Sequence, residues 1–451
     1  MATTLAARPD GVTESASPEA AGSAPSTGLL FVAQIAAAAG AFLTTVIIAR
    51  TLGPSGRGVY AFAVTVAGLV AIVGQLGLSS AVSFAAAQSQ SGRRYLRRFY
   101  LLHAGTGSLL LGLAISALMA ARHDLMPKIL HGHGIAILIG PIALAITVFD
   151  GAYGFRSSAQ RYRQAAVMLA LGGIAPALVV LVLDLAGILS PAGALGAWGA
   201  VRIAIGLAGW YRPRLGGSGA SDPALSRSLR SYGRRAFAAS AAGIVTLRAD
   251  QWVLGLMAGG ATLGVYAVAV SLTDPALYLP SALQRVLFPR VVGQAERAVE
   301  LTARAIRISV ALVAVFVGVA APIGFALLPL VFGHGFTASR TPFLVLLPGV
   351  FGITILILAS ASISAVGRPG IASVVEIGTS AGMLLLDVAL IPPLGATGAA
   401  IACTSAYTAG GLCAVVAFAR IHPGSRLALI PRADDLRTIA VFVRRRLGGR
   451  P

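Results

Sequence analysis

The sequence predicts an all-α polytopic membrane protein of about twelve transmembrane helices, arranged as two six-helix lobes related by a parallel pseudo-two-fold. Three observations carry this. First, 57% of the 451 residues are hydrophobic and only 11% are charged, against roughly 25% charged in soluble domains. Second, apolar runs of about twenty residues follow one another along the chain, the length needed to cross a bilayer as a helix. Third, Gly58-Val-Tyr-Ala-Phe-Ala-Val64 is echoed 206 residues later, from 58 to 264, by Gly264-Val-Tyr-Ala-Val-Ala-Val270. Gly53 falls on Gly259 at the same offset. A period this long is too large for a solenoid unit and reads as the duplication of a whole lobe.

Residues 1–27 are rich in Ala, Ser, Thr, Pro and Gly and read as a disordered tail without a signal-peptide pattern. Twelve apolar spans follow: 29–49, 59–86, 100–121, 134–155, 165–188, 192–211, 236–257, 264–289, 306–331, 341–365, 370–391 and 394–418. The sixth is short and the seventh carries charge. The first lobe is expected over 28–211 and the second over 236–418. Between them, 212–235 opens Arg-Pro-Arg-Leu-Gly-Gly-Ser-Gly and reads as a cytoplasmic linker. An even number of spans per lobe gives both lobes the same orientation, hence the parallel symmetry.

The net charge is +20. The basic residues cluster in loops after even-numbered spans: Arg93, Arg94, Arg97 and Arg98; Arg156, Arg161 and Arg163; Arg212 to Arg235; Arg290, Arg297, Arg304 and Arg307. Loops after odd-numbered spans are poorer, with Arg50 and Arg57, then Arg122 and Lys128. The positive-inside rule then places both termini in the cytoplasm. This accounts for the charge without nucleic acid, since aromatic residues are not interleaved with the basic ones. The tail at 419–451 is basic. Its Leu436, Ile439, Ala440, Val443 and Leu447 share one helical face, a pattern suited to an anionic lipid surface.

Charged groups inside spans require a cavity or a partner. Asp184 and Asp387 fall near outer ends of their spans and Asp150 near an inner end, where interfacial water is in reach. Asp274 precedes Pro275 and is placed to satisfy backbone groups freed by the proline. Arg285 lies near an inner end, suited either to snorkelling or to a cytoplasmic mouth. Arg202 lies near the middle of the sixth span. Arg248 and Asp250 lie well inside the seventh, two residues apart, so they do not face one another. Glu376, in the inner third of the eleventh span, is a candidate proton- or cation-binding carboxylate. Prolines 275, 280, 289, 322 and 329 punctuate spans eight and nine and are expected to kink them.

Catalysis has little to stand on. The chain has no phosphate-binding Gly-x-x-x-x-Gly-Lys-[Ser/Thr] loop and no Gly-x-Ser-x-Gly elbow. His131 and His133 flank a glycine without further ligands of metal spacing. Cys403 and Cys413 lie too far apart on one helix for a disulfide. No enzyme activity, cofactor or metal is expected; H+ or Na+ are candidate coupling ions.

Ile48-Ala-Arg-Thr-Leu-Gly-Pro-Ser-Gly-Arg-Gly-Val-Tyr-Ala-Phe-Ala63 and Leu76-Gly-Leu-Ser-Ser-Ala81 resemble the opening of polysaccharide flippases of the multidrug/oligosaccharidyl-lipid/polysaccharide (MOP) superfamily. Arg248-Ala-Asp-Gln251, Leu263-Gly-Val-Tyr-Ala267, Leu287-Phe-Pro-Arg290 and Ile391-Pro-Pro-Leu-Gly-Ala-Thr-Gly-Ala-Ala-Ile-Ala402 extend the resemblance over most of 29–418. It implies two lobes in a V around a cavity open alternately to each side. It also implies translocation of an undecaprenyl-pyrophosphate-linked oligosaccharide across the bacterial inner membrane. Arg248 would help hold the phosphates, with Arg202 and Arg285 as further candidates. Asp250 would serve coupling or position a neighbouring Arg. Expected partners are the lipid-linked oligosaccharide, anionic lipids, a glycan polymerase and glycosyltransferases. Three alternatives stay open: a cation-coupled drug antiporter of the same superfamily, a lipid II flippase, and a non-transporting membrane scaffold.

Overall fold

In a computed structural model, residues 23–88, 93–121, 127–130, 134–211 and 223–423 are described. The expected tail helix around Leu436, the histidine pair 131 and 133, and most of the N-terminal tail lie outside them. The described residues form thirteen α-helices with short 3-10 turns and one π-turn, and no strand. The first lobe comprises α1 (Ser23–Gln75), α2 (Leu78–Gln88), α3 (Arg93–Tyr100), α4 (Thr106–Ala121), α5 (Ile139–Ser158), α6 (Tyr162–Leu185) and α7 (Pro191–Tyr211). The second comprises α8 (Pro223–Met257), α9 (Gly259–Thr273), α10 (Tyr278–Gly293), α11 (Ala298–Phe332), α12 (Arg340–Ala365) and α13 (Pro369–Ile421).

Nine described stretches of helix are long and apolar enough to cross a membrane. Two of them, α1 and α13, each run 53 residues and contain a glycine outside helical geometry, Gly53 and Gly395. Each is therefore two passes joined by a tight turn. With α8 the total is twelve, six in each lobe. The segment expected as a linker is divided. Residues 212–222 lie outside the described residues, and 223–235 are the first turns of α8.

The proteins' usual inside-out rule is inverted at the periphery. Val167, Leu171, Ile174, Leu178, Val182 and Leu185 form an exposed apolar stripe along α6, and Val315, Val319, Ile323 and Leu330 do the same on α11. Such stripes are what lipid tails cover. Polar groups turn inward. In the first lobe, the Tyr100 hydroxyl lies 3.0 Å from both Gln75 Oε1 and the Thr147 carbonyl, and Thr147 Oγ1 donates to Ser108 Oγ at 2.8 Å. Trp210 Nε1 donates to the Val148 carbonyl at 3.0 Å.

Several spans are less regular than the sequence predicts. The second ends at Gln75. Leu76 and Gly77 then take positive φ, and α2 starts a new direction. The eighth breaks at the 3-10 turn Asp274–Leu277, where Pro275 cannot donate a helical hydrogen bond. By contrast, Pro322 and Pro329 sit inside α11, which runs on without a break.

The duplication is directly visible. Gly53 (φ 65°) and Gly259 (φ 81°) each make the turn between the first and second passes of their lobe. Left-handed backbone at both repeat positions explains why both are glycine. The copies of the repeated motif also pack on each other. A Cβ on Gly58 would lie 1.8 Å from the Gly260 carbonyl oxygen, and one on Gly264 would lie 1.9 Å from the Pro54 carbonyl oxygen. No side chain fits either place. Arg50 strengthens the same contact: its Nε donates to the Val331 carbonyl at 2.8 Å and its Nη2 to that of Leu330, at the C-terminal end of α11. A cation there also meets the negative end of the helix dipole.

At the opposite end of the second pass, Gly77 lies against the backbone of Gly233 and Phe237 on α8. The Phe84 and Tyr232 rings stack there with centroids 4.8 Å apart. The lobes thus touch near both ends.

Candidate functional site

Two cavities lie where lobes and helices meet. The larger has a volume of about 270 Å³. Its walls are Thr44, Tyr60, Phe149, Trp198 and Arg202 from the first lobe, with Tyr278 from the second. The smaller, about 40 Å³, is inside the second lobe, lined by Asp250, Tyr266, Asp274, Cys403 and Tyr407 among others.

Arg202 projects from α7 between two rings. Its guanidinium carbon is 4.3 Å from the Trp198 ring centroid and 4.6 Å from that of Phe149. Asp150 Oδ1 lies 3.8 Å from its Nη1, a loose pair, and the Nε of Arg202 is buried without a hydrogen-bond partner. Cation–π contact with two rings offsets part of the desolvation of this charge.

In the second lobe, the break before Pro275 presents Asp274 to α8. Arg248 Nη2 donates to Asp274 Oδ2 at 3.0 Å, with both side chains about one-third exposed. This corrects the reading of Asp274 as a partner for freed backbone: its carboxylate is the counter-ion of Arg248. Asp250, two residues on, points elsewhere. It accepts hydrogen bonds from the Tyr266 hydroxyl and, at 2.7 Å, from the Gln251 backbone N–H. Tyr407 donates to the Thr246 carbonyl at 2.9 Å, and Thr246 bonds Ser380, tying α8 to α13.

Asp387 is the larger correction. It is 0% exposed, and neither carboxylate oxygen has a hydrogen-bond partner. The expected interfacial water is not within its reach. The physical reason is that its helix continues to the Gly395 turn, so a span ended at 391 places the residue too close to the surface. Asp387 is within electrostatic range of Asp250 and of Cys403. The second lobe therefore holds two buried carboxylates, Asp250 and Asp387, whose common burial is not visible in the sequence. Glu376 is half-buried three turns earlier on α13, beside Ser360 of α12. Asp184 stays near the helix end, accepting from Thr51 Oγ1 at 2.6 Å. Arg285 is on α10, and its side chain lies outside the described residues. No group of three metal-binding side chains occurs among the described residues.

Arg57, Arg156 and Arg307 read as loop residues in the sequence, and all are buried within helices. Arg57, counted there with the loops, is inside the second arm of α1 and only 8% exposed. The repeat contains the signal. The position equivalent to Arg57 is Leu263, which is fully buried, so a charge in that frame must be inside too.

A multi-pass membrane protein with the fold of transporters of the MOP superfamily is the class that these observations define. The inward-facing form of a multidrug resistance MATE family transporter has a TM-score of 0.64 with 16% identity, over 89% of this chain and 100% of that chain. The lipid II flippase MurJ in its inward closed conformation has a TM-score of 0.67 with 14% identity, over 95% and 93%. A MOP superfamily transporter from Pyrococcus furiosus has a TM-score of 0.56 with 15% identity, over 88% and 96%. No curated protein sequence matches the chain. The family described as polysaccharide biosynthesis protein matches residues 23–293, more than half of the chain, and the chain belongs to it.

Proposed function

We propose that this transporter flips an undecaprenyl-pyrophosphate-linked oligosaccharide across the bacterial inner membrane by alternating access, for polysaccharide biosynthesis. The observation that carries the reading is Arg202 in the wall of the inter-lobe cavity, joined by the partly exposed Arg248 of the second lobe, each with donors beyond those its carboxylate partner uses. A guanidinium in a low-dielectric cavity suits phosphate oxygens through bidentate contacts. Rings at Tyr60, Trp198 and Tyr278 offer apolar faces beside them, suited to sugar rings. The family match over the first lobe and the start of the second supports the polysaccharide context.

In this reading Arg248 holds the phosphates, Arg202 and Arg285 assist, and both termini are cytoplasmic. Asp250, Asp387 and Glu376 form the coupling side, taking H+ or Na+ as the lobes rock. Glycosyltransferases supply the substrate and a polymerase consumes it on the far side.

A second reading, cation-coupled drug antiport, has one specific observation in its favour: the buried carboxylates Asp250 and Asp387 in a single lobe. A strain lacking its own flippase separates the two. Wild type, Arg248→Ala and Asp250→Asn are compared at equal membrane abundance. Restored surface glycan with wild type, lost in either variant, is expected. Lowered drug sensitivity without surface glycan replaces this reading with the antiporter.

A further inference from the structure

Arg50 stands at the seam between the lobes, just before the Gly53 turn. It holds two carbonyls of the other lobe: its Nε donates to that of Val331 at 2.8 Å and its Nη2 to that of Leu330. Both lie in the last turn of α11, where helical carbonyls have no partner of their own. A second arginine serves the same helix end. Pro329 has no N–H to give the Phe325 carbonyl, and Arg340 of the second lobe donates to that carbonyl instead, at 2.8 Å. Arg50 thus caps α11 from across the lobe boundary. The same seam continues in the Phe42 and Phe332 rings, edge to face with centroids 5.6 Å apart, and in Ala49, buried in a cluster with Leu328, Phe332 and Phe336.

A second place for the Arg50 cation lies within its own lobe. Thr51 Oγ1 donates to Asp184 Oδ1 at 2.6 Å, which holds this carboxylate beside the same turn, at the C-terminal end of α6. Asp184 makes no ion pair among the described residues. Its charge and the negative end of the α6 dipole both favour a cation. Arg50 therefore has one acceptor group in each lobe, and in this conformation it uses that of the second. The repeat marks the arrangement as one-sided. The offset of 206 that pairs Gly53 with Gly259 pairs Arg50 with Leu256, which is 61% exposed. Both turn glycines are present, yet only the first copy carries the cation.

We propose that Arg50 is a two-position latch for the Gly53 end. On α11 it holds the lobes together. When they part, the guanidinium turns to Asp184 and the α11 carbonyls pass to water. Two hydrogen bonds from a charged fork are exchanged for an ion pair within one lobe, so neither state leaves the cation without an acceptor. The two acceptors compete, and weakening one must shift this end towards the state held by the other. The latch rests on the alternating access of the reading above and not on the cargo carried.

The test uses the full-length chain in membranes, with no cargo added. Closure is read from the rate of cross-linking of Ser55→Cys with Gly260→Cys, because a Cβ on Gly260 lies 3.5 Å from Ser55 Oγ. Exposed Cys413 is replaced by Ser; buried Cys403 is left in place. Arg50→Ala is expected to slow cross-linking roughly fivefold or more. Arg50→Lys keeps the charge without the fork and should fall between it and the parent. Asp184→Asn still accepts from Thr51 and loses only its charge; it is expected to speed cross-linking about twofold or more. The double variant Arg50→Ala with Asp184→Asn should match Arg50→Ala, since Asp184 acts only through Arg50. Two merely structural residues would instead give effects in the same direction that add. An Arg50→Ala rate equal to the parent's, or an Asp184→Asn rate no faster than the parent's, overturns the latch. The second arm leaves Arg50 in place, so it decides even where Arg50→Ala folds poorly. Failure of alternating access would read differently: Thr44→Cys, in the larger cavity, would be reachable by impermeant thiol reagents from one face of the membrane only.

Discussion

At the scale of single residues, the energetic weight falls on buried charge. An unpaired carboxylate held like Asp387 destabilises a fold by several kcal/mol relative to a neutral isostere. Asp387→Asn is therefore expected to unfold at the same temperature as wild type or higher, while transport is lost. A lower unfolding temperature with transport intact would make Asp387 a structural residue. Tyr266→Phe removes the O–H that Asp250 accepts and is expected to destabilise by about 1–3 kcal/mol, measured by thermal unfolding in detergent. A variant as stable as wild type would mean that the Tyr266–Asp250 bond carries no net stabilisation. Asp250 and Asp387 both stand in apolar runs of the sequence, yet only Asp250 reads there as an interior group. Hydropathy marks a span's end where it falls, and depth read from that end is too shallow wherever the helix continues. At Arg57 and Asp387 the helices run past that limit to the Gly53 and Gly395 turns. Both charges consequently lie deeper than hydropathy implied.

At the scale of elements, the repeat was the most informative feature in the chain. It located the two lobes, the paired turns at Gly53 and Gly259, and the residues that meet across the pseudo-two-fold. What it could not reveal was the irregular backbone. The Leu76–Gly77 bend and the Asp274–Leu277 turn interrupt runs that stay apolar throughout, so hydropathy carries no trace of them. The packing of Gly58 against Gly260 gives an element-scale prediction. A methyl group at Gly58 has no space, and overpacking of this kind destabilises the packed state by about 1–3 kcal/mol. Gly58→Ala should shift the population of the closed Gly53 end by roughly tenfold or more, as each 1.4 kcal/mol is a factor of ten. Labelling of Thr44→Cys, in the larger cavity, by a membrane-impermeant thiol reagent from the Gly53 side should rise accordingly. Labelling equal to that of the parent would mean that this contact is not a gate.

At the scale of the whole molecule, the twelve passes, the lobe division and the fold shared with transporters of the MOP superfamily were legible from composition, periodicity and a handful of motifs. The site was legible only in part. Arg202, Arg248 and Asp250 were readable because they interrupt apolar spans, whereas their partners come from distant helices and could not be paired from one sequence. The account that results is of two lobes meeting near both ends around a cationic centre, with buried acids to one side. Its central claim is that this centre carries a diphosphate-linked glycan lipid from one leaflet to the other. The most direct measurement uses proteoliposomes containing a fluorescent polyprenyl-diphosphate-linked oligosaccharide and an impermeant quencher added outside. Wild type is expected to make the inner-leaflet fraction accessible to the quencher, and Arg248→Ala to slow this at least tenfold at equal reconstitution. An inner-leaflet fraction that stays protected with wild type would contradict the account.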